Sequence, residues 1–140
     1  MLSMDDLKQT IGPFTEESHM LLALTEGDVS VGVGFKVLPR EPLEIVEVAA
    51  TMSGLLVEAE PDPILGVAML TRGTAVNLGT GYRSQCYAIS RFEGDSHQSA
   101  VGMIDEDGTV TWMDSDNEEG TAHDLVVLVW ETVQARRSGE

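Results

Sequence analysis

The most regular alternation of apolar and polar residues lies between residues 29 and 37. Every odd position there is Val or Phe, and every even position is Ser, Gly or Lys. Because successive side chains of a β-strand point to opposite faces, this pattern predicts a strand with one apolar face. Residues 26–28 have turn chemistry and residues 19–24 are mostly apolar, so residues 19–38 are predicted to form a hairpin.

Residues 42–60 have the period of a helix instead. Apolar residues recur there at intervals of three and four, and glutamates fall on the opposite side. Such a stripe packs against a core, and Pro42 suits the first turn because a proline there loses no hydrogen bond. We therefore predict a long amphipathic helix in which Ile45, Met52 and Leu56 are buried.

Two shorter patterns predict a helix near each end of the chain. Ser3 precedes two aspartates, which is typical of a helix N-terminus, and the Gly-Pro pair at residues 12–13 would end that helix. Thr121 and Asp124 have the spacing of a capping pair, so residues 121–137 are predicted to be helical. The β-branched residues of this last segment leave a strand as the alternative.

Between the long helix and the last one, five apolar runs are separated by Gly- and Asp-rich segments, which predicts an antiparallel meander. The runs are residues 64–71, 75–78, 84–92, 99–105 and 109–114. Residues 15–25 carry signals of both a helix start and a strand, and we favour a short strand there.

This order of elements predicts the α+β class, with residues 1–140 as a single domain. We expect one antiparallel or mixed sheet of about five to seven strands, with a long central helix and a C-terminal helix packed on it. The order is similar to that of small cytosolic α+β modules of the roadblock or secretion-chaperone kind, which are binding modules that commonly dimerise. The similarity is one of element order alone and assigns a role to no residue.

The composition is that of an ordinary folded protein, with 42% hydrophobic and 23% charged residues. No apolar run approaches the roughly 18 residues that span a bilayer, and Asp5 and Asp6 stand where a signal peptide would be apolar. Cys86 is the single cysteine, so an internal disulfide is excluded, which fits a compartment that keeps thiols reduced. We therefore expect a cytoplasmic protein.

The chain is strongly acidic, with 24 Asp and Glu against 8 Lys and Arg and a net charge of −16. Binding to phosphate backbones and to anionic lipids depends on Lys and Arg, so we expect neither direct nucleic-acid binding nor membrane binding. The charge either keeps the chain soluble or attracts a basic protein partner, for example by mimicry of nucleic acid, and both interpretations stay open.

Residues suited to catalysis are few and scattered. Cys86 lies inside a predicted strand with no helix N-terminus to lower its pKa, so packing explains it better than a role as nucleophile. His19, His97 and His123 lack the spacing of a metal site, and no phosphate-binding glycine motif or G-x-S-x-G occurs. We predict no catalytic residue and no cofactor.

Residues 114–120 resemble the start of a calcium-binding loop, because oxygen ligands occupy its first, third and fifth positions. The glycine required at the sixth position is replaced by Glu119, and the acid required at the twelfth is replaced by Leu125. We therefore predict a solvated acidic turn and no metal site.

Acidic residues are concentrated in residues 93–124, which contain ten Asp or Glu and no Lys or Arg. An aromatic residue beside such a block suits a protein interface, whose centre often holds Trp, and the alternative is that Trp112 covers the core. The predicted partner-binding residues are Asp105, Glu106, Asp107, Trp112, Asp114, Asp116, Glu118 and Glu119.

Three functions fit these observations. The first is a non-catalytic protein-binding module, of adaptor, chaperone or inhibitor type, whose acidic face engages a basic partner. The second is a small enzyme whose pocket gathers dispersed residues such as Arg83, Cys86, His97 and Asp105. The third is an assembly or structural subunit. We also expect a homodimer, because the predicted edge strands carry few of the lysines that discourage pairing.

Overall fold

A computed structural model describes residues 1–13, 18–27, 31–36, 41–76, 79–81, 83–114 and 121–138. The strands in these residues are β1 (Ser18–Leu24), β2 (Gly32–Phe35), β3 (Gly66–Val76), β4 (Arg83–Glu93), β5 (Ser96–Ile104) and β6 (Val110–Asp114). The helices are α1 (Met4–Ile11), α2 (Pro42–Ala59) and α3 (Thr121–Ser138). The strands form one six-stranded antiparallel sheet in the order β2-β1-β3-β4-β5-β6, which confirms the predicted α+β class.

The strand order results from one hairpin, one crossover and a meander. β1 and β2 pair as the predicted hairpin, with Leu21 opposite Val33. β1 also pairs with β3, so β2 and β3 run in the same direction on either side of it, and α2 connects them. From β3 to β6 each strand pairs with the next, as the predicted meander requires.

Helices α2 and α3 cover one face of the sheet and enclose the larger hydrophobic core. Its buried members include Met52 and Leu56 of α2, Val129 of α3 and Met69 of β3. The predicted amphipathic helix is confirmed, with the difference that Ile45 is only partly buried. None of the described helices is long and apolar enough to cross a membrane.

The two helices run side by side in the same direction. Their first turns line one groove, and farther along Gly54 lies beside the guanidinium group of Arg136. Ser53 is fully buried between them, and its hydroxyl lies 3.4 Å from the carbonyl oxygen of Val129. Small residues on α2 therefore let α3 approach closely, which keeps the helix layer narrow.

Helix α1 covers the opposite face and encloses a second core, where Leu7 and Ile11 pack among Leu70 of β3 and Ile89 of β4. Ser3 begins this helix as predicted. Its hydroxyl accepts a hydrogen bond from the backbone nitrogen of Asp6 at 3.3 Å, and the Asp6 carboxylate accepts one from the Ser3 nitrogen at 2.9 Å. The bond from the Ser3 backbone is the main cause that lowers the pKa of the Asp6 carboxyl.

The structure also decides three details that the pattern left open or predicted wrongly. Residues 18–24 form a strand, and α3 is a helix rather than the alternative strand. The break predicted at residues 72–73 is wrong, because β3 continues through them as one strand of 11 residues. Gly73 pairs with Cys86 there and does not have the positive φ of a turn glycine, so the strand continues through it without a turn.

The helix-side core gives the first prediction. Met52 is only 6% exposed, and an unpaired carboxylate at this position costs several kcal/mol out of a typical stability of about 5–15 kcal/mol. We expect Met52→Asp to unfold the protein, as followed by circular dichroism and thermal melting. Leu43→Asp is the matched control, because Leu43 is 77% exposed in the first turn of α2, where an acid is favourable. Equal melting temperatures for both variants would contradict this core.

Candidate functional site

The hairpin between β5 and β6 carries three exposed acidic residues, Asp105, Glu106 and Asp107, which we call the acidic tip. The Asp105 nitrogen donates to the carbonyl oxygen of Thr109 at 2.8 Å, and the Gly108 nitrogen donates to that of Asp105 at 3.0 Å. Gly108 has a φ of +87°, which residues with a Cβ rarely adopt. The geometry of the turn therefore fixes the position of the three acidic residues of the tip.

One acid of the tip also helps to hold the turn. The Asp107 carboxylate accepts a hydrogen bond from the Thr109 nitrogen at 3.0 Å, and this bond is the main cause that lowers the pKa of the Asp107 carboxyl. Because hydrogen bonding favours the ionised form, Asp107 stays charged further into the acidic range than an ordinary aspartate. The tip is thus negative at neutral pH.

Trp112 of β6 belongs to the smaller core, on the face that α1 covers. Its ring stacks on that of Tyr87, with ring centres 5.9 Å apart, and the Lys8 ammonium lies 5.4 Å from the Trp112 ring centre. The Tyr87 hydroxyl in turn donates to the carbonyl oxygen of Gly12 at 3.2 Å. These contacts give the half-buried indole a structural role that joins β6 to β4 and α1.

Gly102 makes this stacking possible. It lies on β5 between Tyr87 and Trp112, directly opposite both in the strand register. A Cβ at this position would lie 2.8 Å from a methyl carbon of Val110 and 3.0 Å from the indole of Trp112. Only a glycine therefore leaves space for the ring to lie across the sheet.

Asp114, another predicted partner-binding residue, lies apart from the acidic tip. It ends β6, about 17 Å from the turn by the rise of the strand. Asp116, Glu118 and Glu119 lie outside the described residues, as do all positions of the rejected calcium loop between 115 and 120. Among the described residues, the acidic tip is therefore the compact part of the predicted site.

The other face of β4, β5 and β6 carries a surface that sequence analysis missed. It contains no charged side chain, and we call it the β4–β6 surface. Its residues are Cys86, Ala88, Val101, Met103, Thr111 and Met113. Met113 is 52% exposed, and the first four are half-buried. In the described part of the chain, α2 packs on β2, and α3 packs mainly on β3 and less on β4, so this surface stays open.

Two features make this surface a candidate site for contact with another protein. Contiguous exposed apolar patches commonly mark interaction sites, and here partly exposed apolar side chains adjoin one another in a chain with a net charge of −16. The acidic tip follows directly on β5 and lies at one end of the surface, whereas α3 lies beyond the other end, where Trp130 and His123 contact Gly94 and His97. The surface is thus apolar and has one acidic end.

The residues considered for a dispersed enzyme pocket are not gathered by the fold. His97 and Asp105 lie near opposite ends of β5, roughly 25 Å apart by the rise of the strand. Arg83 and Cys86 are three residues apart on β4 and so lie on opposite faces of the sheet. Burial raises the pKa of the Cys86 thiol, which lowers the thiolate fraction at neutral pH.

Two histidines that are distant in the sequence meet where α3 begins. His97 of β5 stacks on Phe92 of β4, with ring centres 4.3 Å apart, and His123 lies 5.2 Å from His97. Beside them, the indole nitrogen of Trp130 donates to the carbonyl oxygen of Gly94 at 2.9 Å. These contacts attach the first half of α3 to the turn between β4 and β5.

A groove of about 540 Å³ lies between the first turns of α2 and α3. Val46 and Leu128 contribute to its apolar walls, and Asp124 and Glu131 supply carboxylates. The residues that the structure describes contain no group of three His, Cys, Asp or Glu side chains that could hold a metal ion.

The glycine under Trp112 gives the second prediction. Gly102→Ala should push the indole away from Tyr87 and lower stability by about 1–3 kcal/mol, the usual cost of overpacking. Gly73→Ala is the control, because Gly73 also lies within a strand and a Cβ there would meet no atom within 4 Å. Denaturant unfolding of both variants checks the difference, and equal losses would show that the space under the indole does not matter.

Comparison of the chain with protein-family models, with curated proteins and with solved structures found no match.

Proposed function

We propose that this protein is a non-catalytic protein-binding module, of adaptor, chaperone or inhibitor type, that engages a basic partner. The observation that carries the proposal is the β4–β6 surface, an uncharged and partly exposed area on a strongly acidic protein. It offers apolar contact area around Val101, Met103 and Met113, and the acidic tip offers carboxylates at one end. Apolar centres with polar rims are the usual anatomy of protein interfaces.

The charge supports a basic partner in particular. No Lys or Arg occurs in residues 93–124, which include β5, β6 and the acidic tip. A cationic protein would therefore meet mainly negative charge on its approach, which raises the association rate at low salt. The alternative is that the acids only keep the chain soluble, and in that case their neutralisation would leave every interaction unchanged.

Neutralisation of the acidic tip gives the third prediction. The tip variant carries Asp105→Asn, Glu106→Gln and Asp107→Asn. We expect it to capture severalfold less of a basic partner from cell extract than the wild type at low salt. Because surface attraction is screened within about 8 Å at 0.15 M ionic strength, the difference should shrink as salt rises.

The matched control removes the same charge from another exposed surface. It carries Glu44→Gln, Glu47→Gln and Glu58→Gln on the outer side of α2. If capture falls equally in the tip variant and in this control, the effect comes from net charge alone and not from the position of the acidic tip. Identical partners and amounts for all three proteins at both salt concentrations would contradict the proposal.

A further inference from the structure

The helix layer leaves a place that is one helix wide. Neighbouring strands are about 4.8 Å apart, so the middle of β5 and β6 lies roughly 10 Å beyond the strands that α3 covers. Packed helices are themselves about 8–10 Å apart. A third helix beside α3 would therefore rest on the β4–β6 surface at the normal packing distance.

The open length of this place is shorter than β5. α3 reaches the same face at His97, whose ring lies 5.2 Å from that of His123, so the open part runs from about Val101 to the acidic tip. These residues span roughly 13 Å at about 3.3 Å each, the length of about nine helical residues at 1.5 Å each. A helix of this length would lie over Val101 and Met103 with one end near the carboxylates of the tip.

We propose that the β4–β6 surface binds an amphipathic helix of a partner protein, with its apolar side against Val101, Met103 and Met113 and with Lys or Arg at the end that faces the acidic tip. This inference rests on the proposed function and names the segment by which the partner binds. Methionine side chains adapt to varied apolar shapes, which suits a binding surface for a foreign helix. The acidic tip favours a cationic helix over a neutral one.

A second copy of this chain is the main rival occupant. Each copy has a net charge of −16, so face-to-face pairing of two β4–β6 surfaces would bring two strongly acidic proteins together. Like charges in close opposition disfavour an interface. The charge of the protein therefore points to a basic partner at this surface rather than to itself.

The probe for the test is a synthetic helical peptide of about 20 residues, because shorter isolated helices are marginal in water. It has Leu and Ala on one side and Lys near one end, and a peptide of the same composition in permuted order is its control. Binding is followed by the fluorescence anisotropy of the labelled peptide. We expect the ordered peptide to bind the wild type more tightly than the permuted one, because only the ordered peptide presents one apolar side.

The decisive variant is Met113→Glu, since it separates apolar docking from attraction by charge. It adds a negative charge, so attraction alone predicts tighter binding of the cationic peptide. Docking on the surface predicts binding weaker by about tenfold, the effect of losing one buried apolar contact. Met113→Gln should also weaken binding, and Leu43→Glu, on the exposed side of α2, should not. Circular dichroism and melting curves confirm that each variant is folded.

Three outcomes would overturn this inference. The first is equal or tighter binding by Met113→Glu, and the second is equal binding of the ordered and permuted peptides. The third is a wild-type dimer in light scattering that Met113→Glu converts to a monomer, because the surface would then belong to a second copy. A dimer formed at the sheet edges would persist in Met113→Glu and would leave the β4–β6 surface available to the peptide. In the first two cases, loss of partner capture by the tip variant would still support the proposed function.

Discussion

The fold depends on the central strand β3, which is buried on both faces. It pairs with β1 along one edge and with β4 along the other. Val67 and Met69 contribute to the core under α2 and α3, and Ala68 and Leu70 contribute to the core under α1. Because both cores rest on this strand, neither helix layer can be packed without it. A strand in this position shows no apolar and polar alternation, which explains the unbroken apolar run at residues 66–70.

The sheet is wider than the helix layer that covers it, and the candidate site results from this mismatch. The close contact of α2 with α3 at Ser53 and Gly54 keeps the two helices over β2 to β4. β6 is held from the opposite face, where Trp112 stacks over Gly102. Among the described residues, β6 is thus packed on this face, and α2 and α3 leave the other face uncovered around Met103 and Met113.

The sequence by itself determined the elements whose cause is local. The stripe of residues 42–60 predicts α2, Ser3 followed by two aspartates predicts the start of α1, and the Asp-rich turn before Gly108 predicts the hairpin that presents the acidic tip. Each of these depends on residues a few positions apart, through helical period, capping hydrogen bonds or a glycine with positive φ. The α+β class follows from their order.

Only the tertiary structure decided which residues from different elements meet. Met103 and Met113 lie on strands that the sequence predicts, but the pairing register and the position of α3 determine that they share an open face with Cys86. A shift of one residue would move every side chain of a strand to the other face, and no local pattern fixes that register. The same long-range packing places His97 beside His123 and Trp112 against the smaller core, because each contact joins different elements of the fold.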